Sequence, residues 1–540
     1  MSDQVVTSQS EPGLGRMHPL QEVWSIAWPT ILTMTSYTIM QFVDGLMVGQ
    51  VGPLELTAQS NGGIWAFTPL AWVMGALTVV NTFVAQNLGA KRPENGPKYA
   101  WTALWLSAVA WALIMIPMAL FMPLLFRTII PWISAAFGAE SGHSAELIRL
   151  ESGYAQILLG GSLLMLCARG ISHYFFGMHR PRVITVATIS ANITNVLFNY
   201  ILIFGEGGLE TMLFGRWHLD LPGIPGTPAL GVYGAAIGTL IGTAVELGIP
   251  LAIFLGPKLN RQYRTRRAWR LSPRTLWEVV KLGWPCSIQW GNEIICWSLF
   301  LSVIVGRFGE DHMAAGWVAL KYMHLGFMPT VGISVAVNSL VGKYIGAGKP
   351  DTAVARARLG LAMAVGYMTL CGLMFFVFRH PMVAFFIGGD LAPQDKANIV
   401  QIGGKIMICA AVFQTFDAFG IVYTGALRGA GDTLWPSAAT IIYSWTFIVA
   451  GGLTLAICAP GLESIGPWIG AATFIICYGI TMAWRFESGR WRLIKLLDTS
   501  EEEAVEIATV GPMPPASTPD SSLPDLLDAT AEAVEVGDGL

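Results

Sequence analysis

Long runs of apolar residues alternate with short polar segments along most of the chain. About twelve of these runs reach the length of roughly 20 residues that an α-helix needs to cross a bilayer. The separating segments are rich in Gly, Pro and charged residues, which is typical of loops. The pattern therefore predicts an all-α polytopic membrane protein with twelve transmembrane helices. The predicted spans are residues 23–49, 62–88, 99–125, 152–177, 183–205, 231–256, 277–305, 313–345, 356–379, 400–427, 435–459 and 466–485.

The composition agrees with this pattern. Of the 540 residues, 53% are hydrophobic and 12% are charged, whereas soluble domains contain about 25% charged residues. The mean hydropathy is +0.55. Residues 1–22 are polar and lack an apolar core, so we expect a cytoplasmic tail and no cleavable signal peptide. The seven cysteines all lie in predicted spans, where we expect core residues rather than disulfide partners or zinc ligands.

Four pairs of short motifs recur in the same order in the two halves of the chain, separated by 256, 257 or 248 residues. The pairs are WP at 28–29 and 284–285, VG at 48–49 and 305–306, GAKRP at 89–93 with GAGKP at 346–350, and GMHR at 177–180 with GALR at 425–428. Each half holds six spans, so both halves enter the membrane from the same side. We therefore expect two six-helix lobes related by a pseudo-two-fold axis along the membrane normal, with a substrate cleft between them.

Charge distribution indicates the orientation and the segments outside the lobes. Loops after even-numbered spans carry roughly 21 Lys and Arg, and loops after odd-numbered spans carry roughly 7, which places the even-numbered loops and both termini in the cytoplasm. The basic stretch 258–274 also contains Tyr263 and Trp269, but a lipid-facing anchor explains it better than nucleic-acid binding. The tail Asp498–Leu540 has 11 acidic and no basic residues and is expected to be disordered. The predicted domains are a cytoplasmic tail 1–22, an N-lobe 23–256, a basic linker 257–276, a C-lobe 277–495 and an acidic tail 496–540.

Asp44 is a carboxylate within the first apolar run. A charge inside a bilayer costs about 2.5 to 17 kcal/mol, so such a residue usually serves a function. Tyr37, Gln41 and Asp44 are four and three residues apart, which predicts one shared helical face. Pro29 removes a backbone hydrogen bond and predicts a bend in the same helix. The alternative for Asp44 is an interfacial position near the outer end of the span.

The fifth predicted span carries Asn192, Asn195 and Asn199, which are three and four residues apart and share one face. Asn side chains offer neutral oxygens to a cation or hydrogen bonds to a carboxylate. Hydrogen bonding that only packs the helices together is the alternative explanation. Beside Asp44, the three residues favour a polar site in the N-lobe.

Two further carboxylates lie inside spans of the second half. Glu293 follows Gln289 by one turn, and Asp417 follows Gln414 by three residues. A buried carboxylate can load a proton near neutral pH, or it can bind a hard cation together with amide and backbone oxygens. Either residue could instead be a hydrogen-bonded structural carboxylate. The sequence thus predicts candidate coupling sites in both lobes.

Other intramembrane features are less informative. Gly234, Gly238 and Gly242 form a ladder of small residues that close helix packing explains. Arg169 either pairs with a carboxylate or extends its charged end to the membrane surface. The sequence has no phosphate-binding loop, HExxH, GxSxG or Cys/His metal spacing. We therefore expect no cofactor and no ATP hydrolysis.

Strings in both halves resemble those of a known family. They are "FVDGLMVGQVGPLELTAQS" at the end of the first span, "VAQNLGAKRP" with its partner "VGKYIGAGKP", and "FDAFGIVYTGALRGAGDT" in the tenth span. With them the sequence resembles the multidrug and toxic compound extrusion (MATE) family, particularly its bacterial NorM-like branch. The resemblance implies a V-shaped pair of six-helix lobes that exports cationic, amphipathic compounds in exchange for H⁺ or Na⁺.

The resemblance also implies roles for single residues of the N-lobe. Asp44 is similar to the coupling carboxylate of the family, and Pro29 to the proline at which the first helix bends when that carboxylate is protonated. Asn195 matches the Asn partner of the site, whereas Asn199 stands where some members have Asp. Thr239 is similar to a further ligand.

In the C-lobe, Glu293 and Asp417 match the carboxylates of the cation site of NorM-like members. Because both lobes carry carboxylates, the choice of ion and of lobe stays open. If Na⁺ is the coupling ion, the resemblance makes Asp44, Glu293 and Asp417 its carboxylate ligands. The candidate coupling residues are Asp44, Asn195, Asn199, Thr239, Gln41 and Tyr37 in the N-lobe, and Glu293, Asp417, Gln289 and Gln414 in the C-lobe.

We expect a monomeric, multi-pass protein of the cell membrane that acts as a secondary active multidrug efflux antiporter. Its partners are amphipathic or cationic small molecules and the lipid bilayer, and no nucleic acid. A flippase for a lipid-linked saccharide or an exporter of one metabolite is the alternative. Such flippases often line their cleft with Arg, and the few basic residues within these spans disfavour it. A membrane-embedded transferase would need an exposed His/Asp or Asp/Asp pair at a loop edge. The duplicated architecture disfavours this class, so we expect that the protein is not an enzyme.

Overall fold

The fold is built from twelve long helical spans. The structure is a computed structural model and describes residues 18–131, 144–213, 217–386 and 393–497. In these ranges twelve helical spans are long and apolar enough to cross a membrane, which confirms the predicted all-α polytopic architecture. The predicted acidic tail, from Asp498 onward, lies outside the described residues. Numbered in chain order, spans 1 to 12 are Pro19–Gly49, Leu54–Gly89, Pro93–Ile129, Ala145–Gly177, Pro181–Gly207, Val232–Leu255, Pro273–Phe308, Asp311–Gly346, Pro350–Val377, Lys396–Ala430, Leu434–Cys458 and Ile465–Glu487.

Several helices begin a few residues before the apolar runs that predicted them. Span 1 begins at Pro19, span 7 at Pro273 and span 9 at Pro350, whereas the apolar runs begin at residues 23, 277 and 356. Proline is favourable in a first helical turn because its missing N–H would have no partner there. Hydropathy locates the part of a helix that lies in lipid, so the polar first turns were outside the prediction.

Four spans depart from a regular α-helix. Span 2 is interrupted at Thr78, and spans 3, 7 and 11 contain π-helical turns. A π turn accommodates one extra residue in a helix. The turn Phe300–Val305 of span 7 lies where the shift between the two halves rises from 256 to 257 residues, so it absorbs a one-residue insertion. The segments are α-helices Pro53–Leu77, Val79–Gly89, Gly96–Ala110, Ile116–Leu124, Pro273–Leu299, Leu434–Tyr443 and Gly452–Cys458, with π turns Trp111–Met115, Leu125–Ile129, Phe300–Val305 and Ser444–Gly451.

One connection contains β-structure, which the sequence pattern did not predict. Strands Leu209–Leu213 and Trp217–Leu221 pair antiparallel between spans 5 and 6, with Leu209 opposite Leu221. Antiparallel pairing satisfies backbone groups over a short range, so a hairpin fits a segment that is too short for another span. The remaining short elements are α-helices Pro257–Tyr263 and Arg379–Phe386 and 3₁₀ turns Pro93–Asn95, Gly205–Gly207, Arg267–Trp269, Gly306–Phe308, Pro460–Leu462 and Arg490–Leu493.

The two six-helix lobes exchange the N-terminal segments of spans 1 and 7. The start of span 1 packs into an apolar cluster that otherwise consists of C-lobe residues, and the start of span 7 packs into the cluster of the N-lobe. The exchanged residues are Val23, Ile26 and Ala27 of span 1 and Val279, Leu282 and Cys286 of span 7. A third cluster, around Phe300 and Trp468, contains C-lobe residues only. The apolar contacts between the lobes are therefore reciprocal, as a pseudo-two-fold axis requires.

Polar contacts join the lobes near one face, which we call the terminal face because span 1 begins there at Pro19 and span 12 ends there at Glu487. Thr82 Oγ1 donates to the carbonyl of Arg428 at 2.9 Å, and Gln86 Nε2 donates to the carbonyl of Gly429 at 2.9 Å. Glu22, only 2% exposed, accepts hydrogen bonds from Arg356 and Tyr344 of the C-lobe. In this conformation the lobes are thus held together at the terminal face.

Candidate functional site

Asp44 lies where spans 1, 5 and 6 converge, and its side chain is 7% exposed. The amide of Asn199 donates to its Oδ1 at 2.7 Å and also lies 3.4 Å from Asn195 Oδ1. Asn195 Nδ2 in turn lies 3.5 Å from Thr239 Oγ1. The structure therefore brings together four of the N-lobe residues that the sequence predicted, and Asp44 is buried among them.

Small residues of span 6 allow this convergence. A Cβ at Gly242 would lie 2.9 Å from Asn195 Cβ, and one at Gly238 would overlap Asn199 Oδ1. The glycine ladder thus packs span 6 closely against span 5, as predicted. Asn199 Oδ1 is buried and accepts no hydrogen bond from the described residues. With the Asp44 carboxylate it offers oxygen ligands of the kind that a proton or a hard cation prefers.

Tyr37 and Gln41 do not join the Asp44 site. The hydroxyl of Tyr37 donates to Glu246 of span 6 and lies 3.3 Å from Thr188 Oγ1 of span 5, whereas the side chain of Gln41 is exposed. At about 100° per residue, Gln41 and Asp44 lie about 60° apart around the helix. The three residues therefore share one side of the helix as predicted, but only Tyr37 and Asp44 are buried against the neighbouring spans of the lobe.

Pro29 lies inside an α-helix that runs unbroken from Pro19 to Gly49. Its carbonyl accepts hydrogen bonds from Thr33 Oγ1 and Thr185 Oγ1, both at 2.9 Å. The next residue, Thr30, donates to the carbonyl of Gly332 in the C-lobe at 2.8 Å. The proline is therefore placed at the contact between the lobes, and the helix is not interrupted there in this conformation.

In the C-lobe, Gln289 contacts Glu293 as the sequence predicted. Gln289 Nε2 lies 3.4 Å from Glu293 Oε1 and 3.1 Å from Thr440 Oγ1 of span 11. Arg428 of span 10 donates to Gln289 Oε1 at 2.9 Å, and its charge acts on Glu293. A cation from the end of span 10 thus belongs to this site, and Arg428 was predictable from the sequence only as part of the repeated GALR motif.

Asp417 lies close enough to Glu293 for the two charges to interact, and the structure gives it no hydrogen-bond partner among the described residues. Two like charges in a poorly solvated place favour uptake of a proton or another cation. Gln414, predicted to belong to this site, points elsewhere: its Nε2 lies 3.6 Å from Met368 Sδ. The charge of Glu293 thus acts on Asp417, whereas Gln414 is hydrogen-bonded to neither carboxylate among the described residues.

One functional candidate within the N-lobe, Glu246, was missed, whereas Arg169 was expected to pair with a carboxylate or to extend its charged end to the membrane surface. Glu246 lies in the middle of span 6, is 8% exposed and accepts the hydroxyl of Tyr37. Arg169 of span 4 stacks over the Tyr37 ring, with its guanidinium carbon 4.0 Å from the ring centroid. The rule that selected Asp44, a charge inside an apolar run, would also have selected Glu246. Their partnership was not predictable, because it joins residues far apart in the chain.

The candidate carboxylates form two separate sites rather than one metal centre. Among the described residues, no three or more His, Cys, Asp or Glu side chains are grouped so as to hold a metal ion. All seven cysteines are free, and only Cys458 is exposed. A Na⁺ ion at either site would therefore depend on one or two carboxylates together with neutral oxygens.

Comparison with known sequences identifies similar transporters. A family model described as MatE matches residues 29–201 and 294–451. The multidrug resistance protein NorM of Burkholderia vietnamiensis is 28% identical over 485 residues, which cover 89% of this chain and 96% of that protein. The probable multidrug resistance protein NorM of Burkholderia pseudomallei is 29% identical over 466 residues, which cover 85% and 91%.

Solved structures have the same fold. A crystal structure of a MATE protein in complex with MaL6 has a TM-score of 0.74 at 20% identity and covers 89% of this chain and 98% of that chain. A MOP superfamily transporter from Pyrococcus furiosus has a TM-score of 0.75 at 20% identity and covers 90% and 100%. At this identity the similarity supports the two-lobe architecture alone.

Proposed function

Because this chain belongs to the MatE family, we propose that it is a secondary active antiporter that exports hydrophobic or cationic compounds in exchange for H⁺ or Na⁺. Relatives that align over most of its length are named multidrug resistance proteins. Such a transporter needs an ion site whose occupancy changes the relative stability of two conformations. The N-lobe offers a group with that property.

The environment of Asp44 is the observation that carries this proposal. Among the described residues, its hydrogen-bond partners are the neutral amides of Asn199 and Asn195. In the described part of the chain no Lys or Arg forms an ion pair with it. An ionised carboxylate held only by neutral groups in apolar surroundings is costly, and binding a proton or Na⁺ removes that cost. Asp44 therefore suits a group that loads one cation and releases it in each cycle.

The inter-lobe contacts suggest which conformation this is. The excess of Lys and Arg in even-numbered loops favours a cytoplasmic terminal face in the cell membrane. The contacts of Thr82, Gln86 and Glu22 hold the lobes together at that face. We infer that this conformation is closed to the cytoplasm, and that export requires the two lobes to rock apart there, as in other repeat-based transporters.

Efflux from proteoliposomes tests the proposal. Purified protein is reconstituted with a fluorescent lipophilic cation inside, and pH and sodium gradients are imposed separately. We expect one of the gradients to drive efflux, and Asp44→Asn to abolish the driven component. Glu146→Gln is the matched control, because Glu146 is an exposed acid paired with Arg149 at 3.2 Å on the protein surface. Efflux that neither gradient accelerates, or wild-type efflux by correctly inserted Asp44→Asn protein, contradicts antiport.

A further inference from the structure

The C-lobe carboxylates have counterparts in the N-lobe, and those counterparts are not Asp44. The shift of 256 residues that relates Trp28-Pro29 to Trp284-Pro285 places Glu293 opposite Tyr37. The shift of 248 residues that relates GMHR to GALR places Asp417 opposite Arg169. The pseudo-two-fold axis therefore pairs an acidic site in the C-lobe with a site in the N-lobe that contains a tyrosine and an arginine.

Hydrogen bonds support this correspondence. Thr33 Oγ1 and Thr185 Oγ1 lie 3.1 Å apart in the N-lobe. Gln289, 256 residues after Thr33, lies 3.1 Å from Thr440, 255 residues after Thr185. The same pair of helices is thus joined at the same height in each lobe, directly beside Tyr37 and Glu293.

Arg169 brings a positive charge into the N-lobe, and Glu246 balances it. The guanidinium stacks on the Tyr37 ring at 4.0 Å, the Tyr37 hydroxyl donates to Glu246, and the charges of Arg169 and Glu246 interact. Tyr37 thus bridges a buried acid and a buried base. The pair forms a neutral unit, which differs from the acidic character of the equivalent C-lobe site.

The neutral unit formed by Arg169, Tyr37 and Glu246 lies about two helical turns from the Asp44 site, and this spacing is the same on spans 1, 5 and 6. Tyr37 precedes Asp44 by seven residues on span 1, Thr188 precedes Asn195 by seven on span 5, and Glu246 follows Thr239 by seven on span 6. Seven residues correspond to about 10 Å along a helix. At that separation one uncompensated charge in a medium of effective dielectric constant of about 20 changes cation binding by about tenfold.

Other titratable groups interact with these residues from the neighbouring helices. The charge of Asp44 acts on Tyr154 of span 4. The charges of Arg169 and of Arg428 of span 10 both act on His173 of span 4. Glu151 of span 4 is a further buried carboxylate, and it accepts a hydrogen bond from Asn61 of span 2 at 3.2 Å.

We propose that Glu246 sets the charge of the coupling site: by neutralising Arg169, it leaves Asp44 as the unbalanced charge that a coupling cation must compensate. Asp44, Glu246 and Arg169 together carry a net charge of −1 when both acids are ionised, so one monovalent cation balances them. Without Glu246 the arginine would balance Asp44 from within the protein, and the demand for an external cation would fall. This inference rests on the proposed antiport and names the residues that make it depend on a cation.

The test measures the concentration of the driving cation that gives half-maximal efflux from proteoliposomes, using whichever ion drives the wild-type protein. For Glu246→Gln we expect a concentration about tenfold higher, because Arg169 is then uncompensated. For Arg169→Gln we expect one about tenfold lower, because two acids then share the site. The double variant Glu246→Gln/Arg169→Gln restores the net charge of −1 and should return to within about threefold of wild type.

Rescue by the double variant separates charge balance from packing, since a packing role would make two truncations worse than one. Glu246→Asp retains the charge and should also rescue the half-maximal concentration. Glu151→Gln is the matched control, because it removes a buried N-lobe carboxylate outside the group. If a single variant does not reach the membrane, the double variant and Glu246→Asp decide. A half-maximal concentration within about threefold of wild type supports the proposal, and a larger shift in either variant overturns it.

The outcomes also separate this inference from the proposed function. If neither gradient drives the wild-type protein, antiport fails and the inference fails with it. If a gradient drives the wild-type protein and Asp44→Asn blocks it, while Glu246→Gln keeps the wild-type half-maximal concentration, only the assignment of Glu246 is wrong.

Discussion

The contact made by Glu22 predicts how strongly the terminal face is held closed. Glu22 of the N-lobe accepts hydrogen bonds from Arg356 Nε and Tyr344 Oη of the C-lobe, both at 2.6 Å, and lies 3.6 Å from Lys343 Nζ. The side chains of Glu22, Arg356 and Lys343 are 3%, 14% and 16% exposed. The group is thus a largely buried ion pair that exists only while the lobes touch.

Glu22→Gln removes the negative charge and leaves two largely buried cations, Lys343 and Arg356, without their carboxylate partner. Breaking a buried ion pair on one side costs about 3–5 kcal/mol. Because this cost falls only on the conformation with the terminal face closed, the ratio of closed to open molecules should fall by roughly 150- to 5,000-fold. A protein that is almost entirely closed in the wild type should then populate the open state measurably.

Distances between spin labels on the two lobes measure that shift. Lys98 of the N-lobe and Lys349 of the C-lobe are exposed near the terminal face and can carry the labels after the exposed Cys458 is replaced by Ser. We expect a longer inter-lobe distance to appear in Glu22→Gln. Glu487→Gln is the control, because Glu487 binds Arg358 and Tyr423 within the C-lobe. An unchanged distance distribution in Glu22→Gln would refute the reasoning.

Two further predictions concern the packing that positions the sites. Gly238→Ala places a Cβ against Asn199 Oδ1 and should lower driven efflux at least tenfold. Gly248→Ala is the control, because its Cβ meets no atom within 4 Å, and it should leave efflux unchanged. Equal effects of the two substitutions would contradict this account. Trp468 is fully buried, so Trp468→Ala should lower the free energy of unfolding by about 3–5 kcal/mol. Thermal denaturation in detergent checks this value against Trp484→Ala, which removes a 53% exposed ring, and a similar loss in both would argue against it.

The transmembrane helices were predictable because lipid leaves the backbone little choice. Each N–H and C=O group in the bilayer has to be paired inside the helix, so a long apolar run is enough to identify a span. The polar first turns that begin at Pro19 and Pro273 were not identified, because capping rather than hydropathy determines where a helix begins. The hairpin at Leu209–Leu213 was also missed, since five residues give little periodic signal.

The candidate sites were predictable in part. Charges inside apolar runs pointed to Asp44, Glu293 and Asp417, and the spacing of the Asn residues of span 5 indicated the face that meets Asp44. The same spacing argument put Gln41 on that side of span 1, but its side chain is exposed, because helical position alone does not say where the neighbouring helix lies. Gln414 failed for a similar reason, since its amide turns toward Met368 rather than toward Asp417.

The sequence alone determined the number of helices, the duplicated halves and the presence of acids within the spans, because each depends on residues close in sequence or on a simple repeat. The partners of those acids depend on which helix faces meet, and that is a property of the folded protein. Tyr37 meets Glu246, which is 209 residues away, and Arg169 of a third helix stacks on the same ring. Charge balance at Asp44 therefore follows from helix packing and cannot be read from any one segment.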